Sequence, residues 1–256
     1  MSTTDRTNGS LYVHTENYIT TIEFGHPASN SFPSELLQRL TQAFIKISDD
    51  QNTRVIILKS EGDRAFCAGA SFDELVAITN LEEGKKFFSG FANVINAMRK
   101  CQKPIIGRVQ GKTVGGGVGL ASACNYCLAT EAASIKLSEL TIGIGPFVIE
   151  PALSRKIGIA AFETLAWEAS QWKNAYWAKE KGLYSRVFSE INELDKEVQL
   201  LAEKLASYNP QALEQMKKAI WEGTEHWDDL LAERAAISGE LVLSNATRKA
   251  LEKFKK

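Results

Sequence analysis

Histidine and cysteine are scarce in this chain, which has three of the first and four of the second in 256 residues. His14, His26 and His226 stand far apart, and no pair has the spacing of metal ligands. No serine–histidine–aspartate set can be assembled from them. Cys124 and Cys127 form a C-x-x-C pair, but Cys67 and Cys101 are single, and a structural zinc site wants a second pair or histidines nearby. So few cysteines in so long a chain are not a disulfide framework. The expectation is buried, apolar thiols and no metal.

Charge imbalance is missing too. Thirty Lys and Arg against 31 Asp and Glu leave a formal net charge of −1. Nothing here recruits nucleic acid or an anionic membrane surface. No apolar run reaches the roughly 20 residues that cross a bilayer. The opening "MSTTDRTNGS" lacks the charged-then-apolar order of a secretory signal. The expectation is a soluble, cytoplasmic protein.

What is present is alternation of strand and helix. "LYVHTENYITTIEF" (Leu11–Phe24) reads as a hairpin turning at Glu16–Asn17. "SFPSELLQRLTQAFIKIS" has helical spacing at Leu36, Leu37, Leu40, Phe44 and Ile47, with Ser34 as a candidate cap. "TRVIILKS" (Thr53–Ser60) and "KPIIGRVQG" (Lys103–Gly111) are short apolar runs that read as buried strands. Between them "LEEGKKFFSGFANVINAMRK" repeats apolar residues at helical spacing, from Phe87 to Met98. "NYCLATEAASIKLSEL" reads as further short strands. From about Glu190 the chain is helix-rich, with Pro210 at a helix start, and the five tryptophans of the C-terminal half read as helix packing. The plan is an α/β core over residues 1–195 and a helical, oligomerising region over 196–256.

Two strand-to-helix passages are poor in side chains. They are "RAFCAGASFDEL" (Arg64–Leu75) and "GKTVGGGVGLASAC" (Gly111–Cys124). Glycine loses the most entropy on folding, so three in a row at Gly115, Gly116 and Gly117 ask for a reason. A helix that begins at such a turn presents unpaired N–H groups and the positive end of its dipole. That arrangement suits a phosphate or a developing oxyanion. The dinucleotide fingerprint fails, because Leu120 stands where its last glycine belongs, and the lysine of a P-loop is absent. The glycines alone also fit close packing of helix on strand.

The two turns together, "FCAGAS" and "VGGGVGL" after the second strand, resemble the crotonase family, the enoyl-CoA hydratase/isomerase superfamily. "SELTIGIGPFVIEPALSRKIG" (Ser138–Gly158), "AKEKGLYSRV" (Ala178–Val187) and "NPQALEQMKKAI" extend the resemblance over nearly all of the chain after the first ten residues. It implies a repeated β-β-α spiral core with a C-terminal helical region, assembled as a homotrimer or hexamer. It implies an acyl-CoA thioester as substrate, with no other cofactor. The oxyanion donors carried over are the N–H groups of Ala70 and Gly116. Hydratases of the family carry two glutamates; here Gly119 holds the first position and Glu139 the second. One carboxylate suits double-bond migration better than hydration, although a hydratase with one glutamate stays open.

Glu150 is a candidate second carboxylate, with pairing to Arg155 or Lys156 as the alternative. For CoA, the resemblance points to Arg64 near the phosphates, to the small Cys67 and Ala68 beneath the pantetheine, and to Lys253 reaching a neighbouring subunit's 3′-phosphate. Asp73 stands where the family often has a cation. The acyl pocket is expected around Ala77–Phe91 and Ile142–Pro151. Fold does not fix chemistry, so thioester hydrolysis, decarboxylation and non-catalytic acyl-CoA binding are the rival expectations.

Overall fold

The structure is a computed structural model and describes residues 6–253. The chain enters through a hairpin of β1 (Ser10–Glu16) and β2 (Ile19–Gly25). Its turn is Asn17–Tyr18, one residue later than expected, with φ of 50° and 65°. Two residues with positive φ match the right-handed twist of the strands. Helix α1 (Ser34–Ser48) buries Leu36, Leu37, Leu40, Phe44 and Ile47. Ser34 is its first residue and not its cap; the Glu74 carboxylate accepts from the Ser34 N–H at 3.0 Å instead.

The chain then winds as a spiral. In each turn a longer strand joins one sheet, a short strand joins a second, and a helix follows. The first turn is β3 (Val55–Ser60), β4 (Ala65–Cys67), α2 (Phe72–Ala77) and α3 (Leu81–Lys100). The second is β5 (Ile105–Val109), β6 (Lys112–Val114) and α4 (Gly116–Ala123). The third is β7 (Tyr126–Thr130), β8 (Ile135–Lys136), a 3-10 turn (Glu139–Ile142) and α5 (Glu150–Ile157). Helices α6 (Ile159–Trp167) and α7 (Ala175–Glu180) lead to β9 (Arg186–Phe188). The large sheet runs β1-β2-β3-β5-β7-β9 and the small one β4-β6-β8, with every pair beyond the hairpin parallel.

Parallel strands are covered on both faces, which explains their unbroken apolar runs. One face of the large sheet joins the main core through Ile22, Ile56 and Leu58. The other, with Ile19, Val55, Ile57 and Ile106, packs on Leu194, Val198 and Ala202 of α8 (Ile191–Ala206). The boundary expected after residue 195 therefore falls inside a helix that covers the sheet. Helices α9 (Pro210–Ile220), α10 (Trp227–Leu241) and α11 (Asn245–Glu252) complete the chain. Trp221, Trp227, Leu231 and Ala235 belong to the main core. Helix α10 crosses α3 where two glycines meet, and a methyl on Gly84 would stand 2.7 Å from the Gly239 carbonyl.

All four cysteines are free and buried. Trp167 departs from the expectation of helix packing: it is 75% exposed, and Ile159 at the other end of the same helix is 60% exposed. Among the described residues no helix is long and apolar enough to cross a membrane.

Candidate active site

The small sheet builds the site. Its three parallel strands end side by side, with Val114 paired to Lys136 and Cys67 to Thr113. Ligands of parallel sheets gather at such carboxyl ends. Past β4 the chain turns through Ala68, Gly69 and Ala70 into α2, which Ser71 caps by accepting from the Glu74 N–H at 3.3 Å. Past β6 it turns at Gly115 into α4. Past β8 it reaches Glu139. One residue or turn from each winding of the spiral therefore meets at a common place.

That place is a cavity of about 190 Å³ bordered by Ala70, Gly116 and Glu139. The two turns touch, since a methyl on Gly69 would lie 3.7 Å from the Gly116 nitrogen. Among the described residues neither the Ala70 nor the Gly116 N–H donates to a backbone carbonyl. Gly116 is the first residue of α4, where N–H groups have no partner within the helix. Two free donors thus border one apolar cavity.

Each of the adjacent glycines has its own reason. Gly115 has φ of 51°, and a methyl there would stand 2.7 Å from Glu139 Oε1. A Cβ at Gly116 would run into the Phe91 ring, so Phe91, and not only a substrate, occupies the space. A Cβ at Gly117 would lie 2.7 Å from Cys67 Cβ, which is close packing of helix on strand.

Glu139 is partly buried as a residue, because it borders the cavity, but its Oε2 is sealed from solvent and has no hydrogen-bond partner. Burial pushes its carboxyl up from 4.5 to about 7. The 3-10 turn that carries it is closed by Gly143, with φ of 82°. The hydroxyl of Thr247 in α11 shares its one proton between the Gly143 carbonyl at 3.0 Å and the Leu241 carbonyl at 2.8 Å, which ties the last helix to this turn.

The remaining wall is mostly apolar: Phe87, Phe88 and Phe91 of α3, then Ile142, Ile144, Val148 and Ile149. These lie within the two expected stretches. Phe72, Leu75, Val114, Ser138 and Ser238 also line the cavity and lie outside those stretches. Leu75 carried a signal, an apolar residue one turn into a capped helix; Ser238 comes from a distant helix and carried none.

The other expected residues fall in several places. Ala68 lines the cavity. Cys67 does not: it is fully buried, its sulfur would be 2.9 Å from a Cβ at Gly117, and burial pushes its thiol up to about 12. It packs under the turn, where its Sγ accepts from the Gly69 N–H at 3.3 Å. Arg64 is exposed just before β4 and Lys253 is exposed at the end of α11; neither borders the cavity. Asp73 is exposed on α2. Glu150 is not a cavity residue either. It opens α5 with its carboxylate 3.9 Å from Arg234 Nη2, and Ile149 enters the site in its stead. Ile149 also fills the space beside Gly119, where a Cβ would run into its Cγ2 and come 3.5 Å from Ile95 Cδ1.

Known proteins resemble the chain over most of its length. A family model described as enoyl-CoA hydratase/isomerase matches residues 14–254. A short-chain-enoyl-CoA hydratase of Clostridium acetobutylicum is 28% identical over 96% of this chain and 94% of its own. The mitochondrial methylglutaconyl-CoA hydratase of Rattus norvegicus is 32% identical, over 77% of this chain and 63% of its own. The crystal structure of an enoyl-CoA hydratase from Bacillus halodurans superposes with a TM-score of 0.88 at 19% identity, covering 95% of this chain and 99% of that one.

Proposed function

The chain belongs to the enoyl-CoA hydratase/isomerase family, and on that premise we propose that it moves a proton on an enoyl-CoA thioester with Glu139 as its one carboxylate. The observation that carries this reading is the meeting of two free N–H groups, Ala70 and Gly116, with one desolvated carboxyl in a single cavity. The thioester oxygen sits between the two N–H groups and gathers charge as an enolate forms. Donors fixed in place before the reaction, in a site of low polarity, stabilise that charge strongly.

The reaction that one carboxylate completes unaided is migration of the double bond. Glu139 takes a proton from C2 of a 3-enoyl thioester. The resulting dienolate is held through its oxygen. The same carboxyl returns the proton to C4, leaving the double bond between C2 and C3. A carboxyl near 7 serves both steps at neutral pH, because neither form is strongly favoured.

Hydration is the second reading, favoured by the names of the two relatives, both hydratases. It needs a water held without a second carboxylate, since Gly119 and Ile149 fill that position with hydrocarbon. Arg64 and Lys253 are the cations we assign to the CoA phosphates, with Ala68 against the pantetheine. The thioester is the substrate, and no other cofactor is assigned. The exposed Ile159 and Trp167 support contact with further copies, and we assign the protein to a cytoplasmic trimer or hexamer.

Mixing the protein with 2-enoyl-CoA and 3-enoyl-CoA thioesters tests the reading. Isomerisation creates the conjugated absorbance, hydration removes it, and hydrolysis frees a thiol. Decarboxylation needs a carboxylated thioester and releases CO2. Binding with none of these changes would overturn the enzymatic reading.

A further inference from the structure

The apolar end of the Glu139 cavity is a wall, and a second cavity lies behind it. Leu75 of α2, only 6% exposed, borders both. The first cavity holds about 190 Å³ and the second about 470 Å³. Leu75 packs with Phe87, Ile144, Val242 and Leu251 in one buried cluster, so elements from opposite ends of the chain close the wall. Beyond it, Ile78 and Thr79 after α2 face Arg248 and Leu251 of α11 across the second cavity.

We propose that Leu75 is the partition that sets the length of acyl chain the site accepts. An apolar cavity of about 150 Å³ takes up benzene. By that measure 190 Å³ holds about seven or eight heavy atoms, which, with the thioester sulfur and oxygen counted among them, suits an acyl group of about four to six carbons. A longer chain meets the Leu75 side chain. Shortening that side chain joins the two cavities and opens a path between α2 and α11. Each methylene then buried instead of left in water gains up to about fourfold in affinity. The second cavity has a polar rim at Thr79, Arg248 and Glu252, so the gain fades once the chain reaches that rim.

The inference rests on the acyl-thioester reading of the site, and the test separates the two. Turnover is measured as kcat/KM over straight-chain enoyl-CoA thioesters of about four to ten carbons. Equilibrium binding of the matching saturated acyl-CoA series is measured in parallel. The proteins are wild type, Leu75→Ala, the milder Leu75→Val, and Leu75→Phe, each checked for folding by circular dichroism. The expected result is a wild-type optimum at the short end, a shift of about two to four carbons toward longer chains in Leu75→Ala, and a smaller shift in Leu75→Val. Leu75→Phe cuts the profile short. A binding profile that moves this way without turnover of any thioester keeps the partition and overturns the proposed reaction. Turnover whose chain-length profile is the same in every folded variant, or a wild type that prefers the longest chains, overturns the partition and leaves the reaction standing.

Discussion

The Glu139 carboxyl lies against the backbone of Gly115, so close that a methyl on Gly115 would stand 2.7 Å from Oε1. Gly115 also has φ of 51°, which a side chain resists. Gly115→Ala is therefore expected to fail twice. It costs about 1–3 kcal/mol of stability through backbone strain. It also pushes the carboxyl away from the donor at Gly116. Thermal unfolding and turnover measured on one preparation check both effects, and a Tm and kcat equal to wild type would contradict the geometry.

Glu139→Gln keeps the shape and removes the ionisable proton carrier. Turnover is expected to fall by about 100- to 10,000-fold while acyl-CoA binding survives. In the wild type, kcat/KM should rise with pH through about 7, because the ionised form is the base that starts the reaction. Stability moves the opposite way. Between 4.5 and about 7 the folded protein keeps a proton that the unfolded chain has released. Wild-type stability therefore falls as pH rises across that window and levels off above it. Glu139→Gln lacks this slope, so urea titrations should show it gaining up to about 3 kcal/mol on the wild type from the acid side to the alkaline side. A constant difference across the window would mean that the carboxyl is not desolvated.

Thr247 is expected to act through the turn that carries Glu139. It is fully buried, and its hydroxyl lies 3.0 Å from the Gly143 carbonyl and 2.8 Å from that of Leu241. Thr247→Val keeps the volume and leaves the carbonyls without this donor, at a cost of about 1–3 kcal/mol. A carboxyl displaced by an ångström costs up to about 100-fold in kcat. Thr247→Ser should recover most of it, since the hydroxyl returns. Loss of stability with an unchanged kcat would confine Thr247 to packing.

Much of this architecture is legible in the order of residues, for a physical reason in each case. The helix at Leu81–Lys100 is readable to its ends because Asn80 caps it and its apolar residues repeat at helical spacing. The buried strands are readable because parallel strands need apolar residues on both faces. The hairpin turn was displaced by one residue because Tyr18 takes a positive φ that its residue type does not advertise. The boundary placed at residue 195 falls within α8, which looks like the other surface helices in sequence and is core only through the sheet beneath it. At the site, turns next to strand ends are local and leave a pattern in sequence, as Ala70, Gly116 and Glu139 do. Cys67 and Ala68 are adjacent in sequence yet one faces the core and the other the cavity, which spacing alone does not separate. Ser238 reaches the cavity only because α10 lies along α3.

The pairing of Gly119 with Ile149 decides what a restored second carboxylate would do. The Gly119 position faces Ile149, and a Cβ there would overlap Cγ2 of that side chain. Gly119→Glu alone places a longer, charged side chain in the same filled space. It is expected to destabilise the protein by about 1–3 kcal/mol from overpacking alone, and by more if the carboxylate stays buried without a partner. Hydration should not improve. Gly119→Glu with Ile149→Ala vacates the space, and the new carboxylate then borders the cavity where the Ile149 side chain stood, one helical turn after the Gly116 donor. The double variant is expected to fold better than the single one and to raise hydration relative to double-bond migration. The check is the ratio of the two rates on 2-enoyl and 3-enoyl thioesters, with Ile149→Ala alone as the control for enlargement of the cavity. If Gly119→Glu alone were stable and hydrated its substrate as well as the double variant, Ile149 would not be what keeps a second carboxylate out.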